Sequence, residues 1–232
     1  MKLFSLNKLI VLFSVFISFS FTKTNPKSYI TVKNEISKHR LIIQAKYKKA
    51  QNQIEKNLII EKSRKDFTDF LTNDIIPYWN GTKWSFEGHT EIPKVGNIAC
   101  GYFVSTTLNH VGLKLNRFKL AQKSPENEAK TIQPNKKIEF FQDISSETLK
   151  NHFVKNKKNG IYFIGLDFHV GYILKENQNI FFIHSNYIES AEVIKEDILF
   201  SRAIKSKKYY VADITYNDEL IQKWITGGVI KT

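Results

Sequence analysis

Two runs of residues, "GIYFIGLDFHVGYIL" at 160 to 174 and "NIFFIHSNY" at 179 to 187, constrain the fold more than anything else in the chain. They are dense in Ile, Phe, Tyr and Val, the residues that suit a pleated, half-buried surface. The polar "KENQ" between them reads as a turn, so the pair is expected to form an antiparallel hairpin. In such a hairpin the numbers of opposing residues have a constant sum. A sum of 353 sets His184 across from His169, and a sum of 355 sets Asn186 there with His184 on the diagonal. Either odd sum turns both histidines to one face, whereas an even sum brings Ile183 or Ser185 there instead.

The segments before this hairpin read as helices. From Leu41 to Leu71 the period is helical, with Ile43, Tyr47, Ala50, Ile54 and Leu58 on one stripe, and Pro77 is expected to end the region. A loop rich in aromatic and turn residues follows, and then apolar positions from Cys100 to Val111 at helical spacing, stopped by Gly112. Further helical stretches are expected over Arg117 to Lys130 and within "LKNHFVKNKKNG". A strand is expected at "KKYYVADIT", and a closing helix at "NDELIQKWI" capped by Asn217 or Asp218. Helices first and an antiparallel sheet afterwards make an α+β fold.

Charge divides the chain unevenly. Residues 23 to 66 carry 12 Lys/Arg against 4 Asp/Glu, and this basic helical arm holds most of the total of +13. Its bland reading is a solvated helix face packed on the main domain, residues 67 to 232; the alternative is a surface for an acidic envelope polymer. Nucleic acid is not expected as a partner, because the arm lacks stacking aromatics and any reading motif. Residues 1 to 22, with Lys2 and Lys8 ahead of an apolar run from Leu9, have the pattern of a secretory signal peptide. The apolar run is short for a membrane span, so no stable membrane insertion is expected after cleavage, and the product belongs in the periplasm or outside the cell.

An exported chain usually pairs its cysteines, yet this one has only Cys100. The thiol is buried and inert, intermolecular, or reactive. Reactivity needs a thiolate, which a helix N-terminus and a nearby imidazole both favour, and Cys100 opens a predicted helix. The unpaired N–H groups at that helix start also suit the oxyanion of a tetrahedral intermediate. Of the six histidines only His169 and His184 fall in strongly patterned strands. Gly171 lies two residues beyond His169 on the same face and leaves space there, for a substrate chain or a bulky neighbour. A zinc site made of Cys100, His169 and His184 would have the three N/S ligands of a catalytic centre, but the spacing matches no standard zinc motif, and no metal is expected.

The order "GTKWSFEG", "ACGYFV", "HVGYIL", "FFIHS", over residues 80 to 187, resembles the NlpC-type, papain-like cysteine peptidases of bacterial cell walls. Those proteins carry a Gly-Thr-x-Tyr-x-x-Gly-Gly loop, Asp-Cys-Ser-Gly at a helix start, His-Val-Gly on a strand, and a third polar residue, often histidine, on the next strand. The resemblance implies a papain-like core with Cys100 as nucleophile, His169 as general base and then acid, and His184 orienting His169. It implies hydrolysis of an amide through a thioester, with no cofactor, on peptidoglycan stem peptides. Here Ala99 stands for the aspartate, Gly101 for the serine, and Trp84 for the loop tyrosine that assists the oxyanion, with Tyr78 as a substitute for it. Amidase or acyltransferase chemistry on the same scaffold is the alternative within enzymes. A wall-binding protein that has lost activity is the alternative outside them.

Overall fold

The computed structural model describes residues 27–188 and 190–232; the signal-like segment 1–22 and the first residues of the basic arm lie outside the described residues. Among the described residues no helix is long and apolar enough to cross a membrane.

The described residues begin with two capped helices. Helix α1 (Tyr29–Lys49) starts at Ser28, whose side chain accepts from the N–H of Thr31, and α2 (Gln53–Asp69) starts at Asn52, which accepts from the N–H of Glu55. Asn52 restarts the helix and resets its phase. The single stripe expected from Leu41 to Leu71 therefore holds only through Ile43 and Tyr47, while Ile54 and Leu58 are 73% and 51% exposed. The buried side of α2 is Ile60, Ser63 and Phe67 instead. A π-helical stretch, Phe70–Ile75, leads into α3 (Ile76–Trp79). Pro77 follows directly on the π-helical stretch, and the helical region it was expected to end stops two residues later, at Trp79.

Helices α1 and α2 share the main core: Val32, Ile36, Ile43, Tyr47 and Ile60 join the cluster built by the later elements. Each such burial is worth roughly 1.5–3 kcal/mol. Five together are on the order of 10 kcal/mol, comparable with the net stability of a whole domain. The boundary drawn at residues 66 and 67 from charge falls inside α2, which runs through it unbroken.

Helix α4 (Cys100–His110) covers the expected stretch, with Val111 closing it. The region Arg117 to Lys130 is two helices, α5 (Arg117–Ala121) and α6 (Pro125–Ile132), because Ser124 caps a new start and Pro125 takes its first turn. Helices α7 (Ser146–Asn156) and α8 (Asp218–Thr226) follow, the latter capped by Asn217.

Six strands form one antiparallel sheet: β1 (Glu139–Gln142), β2 (Gly160–Gly165), β3 (Val170–Glu176), β4 (Asn179–Ser185), β5 (Val193–Asp197) and β6 (Lys208–Asp213), in the order β1-β6-β2-β3-β4-β5. The fold is α+β. Side chains alternate across the sheet. Ile161, Phe163, Tyr172 and Ile183 join the core with α1, α2, α4 and α8, while Tyr162, Ile164, Ile173 and Phe182 pack with Leu149 and Phe153 of α7. The run 160 to 174 is two strands, folded back at Leu166–His169, where the N–H of Leu166 donates to the carbonyl of His169 at 2.7 Å. Pairing of β3 with β4 matches Tyr172 to Ile183, the register whose sum is 355.

Candidate active site

Two pieces of structure build the region around Cys100. The first is the loop before α4. Its Lys83 bridges both Asn97 and Glu192, and the N–H of Trp84 donates to the carbonyl of Ala191 at 2.7 Å, so the loop is stitched to the chain entering β5. The N–H of Ala99 donates to Gly88, and the Ser185 hydroxyl, at the end of β4, donates to the carbonyl of Ile98 at 2.7 Å. The start of α4 is thus held from both sides.

Ala99 is the N-cap of α4 and has no side chain to cap it. An aspartate or serine there would occupy an N–H of the first turn. With alanine, the first-turn N–H groups keep their capacity to bind an anion. Gly101, next in that turn, is buried. A Cβ on it would lie 2.6 Å from the carbonyl oxygen of Ala121, so glycine is required for α4 to lie against α5.

The second piece is the histidine pair. His169 Nε2 and His184 Nδ1 are 2.8 Å apart, and His184 Nε2 lies 2.9 Å from Oε1 of Glu196. Glu196 pairs across from Phe182 and therefore shares the face of His184. The His184 ring stacks on Phe182 with centroids 4.0 Å apart, which fixes its plane. His169 also meets Tyr187, centroids 5.0 Å apart, and Tyr187 in turn meets Trp84 at 6.1 Å.

Gly171 makes this packing possible. A Cβ there would come within 2.7 Å of the Phe182 ring and 2.9 Å of the His184 Cβ. The space beside His169 is filled by these neighbours, so Gly171 does not receive substrate. Asn186 is not a substrate group either: it is buried, and its Oδ1 accepts from the N–H of Ile188 at 2.8 Å, folding the loop after β4. Tyr78 lies elsewhere, donating to the carbonyl of Lys27 and packing on Tyr29, in a surface pocket shared with Ile30 and Pro93. It cannot replace the loop tyrosine. Trp84, by contrast, lines the cavity of about 670 Å³ that contains Cys100, Gly101 and His169, together with Phe86 and Phe168.

Electrostatics set the resting protonation. Burial pushes the thiol of half-buried Cys100 up, and the charge of Glu128 adds to that; backbone N–H groups of Val170 and the helix start only partly offset it. The expected depression of the thiol is not what this environment produces, because desolvation of the sulfur outweighs the helix start. Burial, with His184 beside it, holds His169 well below the ordinary histidine value. His184 is lowered by burial in spite of Glu196. Burial would raise Glu196, but the hydrogen bond from His184, together with the Ser201 hydroxyl, outweighs it and leaves the carboxyl below its ordinary value. At neutral pH the site therefore holds a thiol, two neutral imidazoles and one carboxylate.

That assignment orders the protons. A carboxylate only accepts, so His184 carries its proton on Nε2 and offers a lone pair at Nδ1. His169 must then donate from Nε2, and its Nδ1 is the nitrogen left with a lone pair. Glu196 was not among the residues singled out from the sequence. Its strand, "VIKED", is half exposed and lacks the dense β-branched run that marks β3 and β4. The signal available was register: once β5 is paired with β4, position 196 falls beside His184 on the same face.

Among the described residues no cluster of three or more His, Cys, Asp or Glu is arranged to hold a metal ion. No family model, no curated protein and no solved structure matches this chain.

Proposed function

We propose that the protein is an exported cysteine hydrolase with a papain-like core, cleaving peptide or amide bonds of cell-wall material such as peptidoglycan stem peptides. The observation that carries this reading is the hydrogen-bond order Glu196, His184, His169, which leaves Nδ1 of a neutral imidazole as a base in the cavity that Cys100 also lines. Sequence resemblance supplies the substrate class.

In this reading Cys100 Sγ attacks the carbonyl carbon while its proton passes to His169 Nδ1, so a thiolate is made only as it is used. Positive charge then on His169 is opposed, through neutral His184, by the Glu196 carboxylate. Oxygen becomes an oxyanion within reach of the uncapped N–H groups at the start of α4. Collapse of the intermediate breaks the C–N bond, and His169 gives the proton to the leaving amine. Water then attacks the thioester, its proton going to His169; the C–S bond breaks and the proton returns to sulfur. An amine in place of water would give acyl transfer on the same thioester. The exposed lysines of α1 and α2 would hold the enzyme near an acidic envelope polymer.

The test is incubation of the purified protein, and of its C100A variant, with peptidoglycan from several wall types, followed by mass analysis. Released stem peptides from the wild type alone are expected, or amine-capped peptides for acyl transfer. No difference between the two proteins on any wall type would overturn the reading.

A further inference from the structure

Of the carboxyls lining the cavities at Cys100, Glu128 is the buried one that the mechanism above leaves without a task; Asp167, in the same cavity, accepts from the Ser206 hydroxyl and the N–H of Lys207. It lies on α6, whose start is fixed by the Ser124 cap and by Pro125 packed closely against Gly165 of β2. On this helix Glu126 pairs outward with Lys130, which turns Glu128, Ala129 and Ile132 inward. Glu128 is 1% exposed, and its Oε1 is sealed from solvent with no hydrogen-bond partner. It nevertheless lines a cavity of about 490 Å³ that also contains Cys100, His169 and Lys123.

A buried polar group without a partner costs roughly 1–3 kcal/mol. Nothing on the protein offsets this one: burial alone acts on the carboxyl and raises it well above its ordinary value, with no cation to counter it. The acid is neutral at rest. It also has reason to stay neutral in turnover, because its charge would oppose the thiolate at Cys100. An ammonium ligand would demand that charge beside the sulfur, and Lys123 and Asp167 in the same cavity offset one another. A neutral carboxylic acid instead offers an O–H donor and a C=O acceptor side by side. A carboxamide matches it with two parallel hydrogen bonds on one edge. The N–H and C=O of a single trans peptide unit point in opposite directions and cannot do so.

We propose that Glu128, as a neutral acid, is a substrate-binding residue that pairs with an uncharged carboxamide group of the substrate beside the scissile bond. This rests on the hydrolase reading and narrows its substrates to amides carrying such a group.

The experiment reads labelling of Cys100 in the full chain, without asking for hydrolysis, so either proposal can fail while the other stands. Rates with iodoacetamide, which carries a carboxamide, are compared with those for 2-bromoethylamine, which carries an ammonium, each relative to a small free thiol. Two hydrogen bonds of ordinary strength favour the carboxamide reagent by about tenfold. That preference is expected in the wild type, retained in E128Q and lost in E128L. Folding of each variant is checked by thermal melting. Acetamide should also protect wild-type Cys100 from methyl methanethiosulfonate, a measurement that stands if E128L does not fold. Retention of the preference in folded E128L, a preference for the ammonium reagent that E128Q abolishes, or absence of acetamide protection would each overturn the proposal.

Discussion

His169 and His184 meet edge to face, Nε2 to Nδ1 at 2.8 Å with their rings at 84°. The relationship has a direction, because Glu196 at the far end can only accept. Reversing that direction would put the proton of His169 on the nitrogen that has to receive one.

Glu196 is therefore a positioning residue. In E196Q the amide can donate to His184 as well as accept from it, so the tautomer order is no longer enforced. The expected result is a fall in kcat of roughly 10²-fold or more with KM nearly unchanged, measured on whichever wall peptide the wild type cleaves. E196D, if it still reaches His184, restores part of the rate. Equal loss in kcat and gain in KM for E196Q would point to general disruption instead.

Cys100 should label slowly at neutral pH. Burial keeps it protonated, so near pH 7 its rate with a thiol reagent should not exceed that of a free cysteine and should climb on the alkaline side. Glu128 is neutral near pH 7, so E128Q is expected to label like wild type there and to run ahead of it only on the alkaline side, where an ionised Glu128 would hold the thiol up. An unshifted curve would mean that Glu128 does not ionise within range of the sulfur.

Stability should respond to pH through Glu128 and His110 in opposite senses. Folded Glu128 binds its proton more tightly than the unfolded chain does, so its contribution is complete below about pH 4.5 and is lost as pH rises. E128Q is expected to melt higher than wild type at pH 8, with the gap closing near pH 4. Folded His110 is lowered to about 4, mainly by burial and then by Lys33. Its contribution is complete above about pH 6.5 and is lost as pH falls toward 4, up to about 3 kcal/mol. H110Q should flatten that acid limb in pH-dependent melts.

Alanine at Gly171 has nowhere to put its Cβ except into Phe182, the Ile183 carbonyl and His184. G171A is expected to lose at least 10²-fold in kcat while retaining the thiol, since a misplacement of about 1 Å is enough. Loss of the lowered titrations of His169 and His184 in NMR would place the damage. Unchanged signals with normal activity would show that the hairpin absorbs the methyl.

The lysines of α1 can be tested without removing the helix, whose inner face is core. Reversing exposed Lys38, Lys46, Lys48 and Lys49 to glutamate should weaken pelleting with acidic wall polymer at low salt, by an amount that vanishes at high salt. Thiol labelling should change little, while melting should fall modestly, because Lys46, Lys48 and Lys49 lie in the last turn of α1, where glutamate opposes the helix dipole.

The parts of the fold that were legible are those whose residues speak for themselves. The α4 start, the facing histidines and the closing helix follow from period and caps, and the 355 register was one of two odd possibilities. What escaped was set by partners distant in sequence. Ile54 and Leu58 keep the helical spacing of Ile43, yet Asn52 restarts the helix between them. The turn at Leu166–His169 is marked in the sequence only by Gly165 and Asp167, inside a run that otherwise reads as one strand because both strands it joins are buried. Glu196 looks like any exposed glutamate until β4 lies beside it. Desolvation at Cys100 is a property of the assembled cavity, which no local motif records.

The Ser185 hydroxyl, which reaches the carbonyl of Ile98, takes no part in any proton transfer. Yet it ties the strand that carries His184 to the turn that delivers Cys100, two segments more than eighty positions apart along the chain. A lineage bearing this site has to preserve such joints as strictly as the reacting atoms. The set of positions at which one substitution silences the chemistry is larger than the set that performs it.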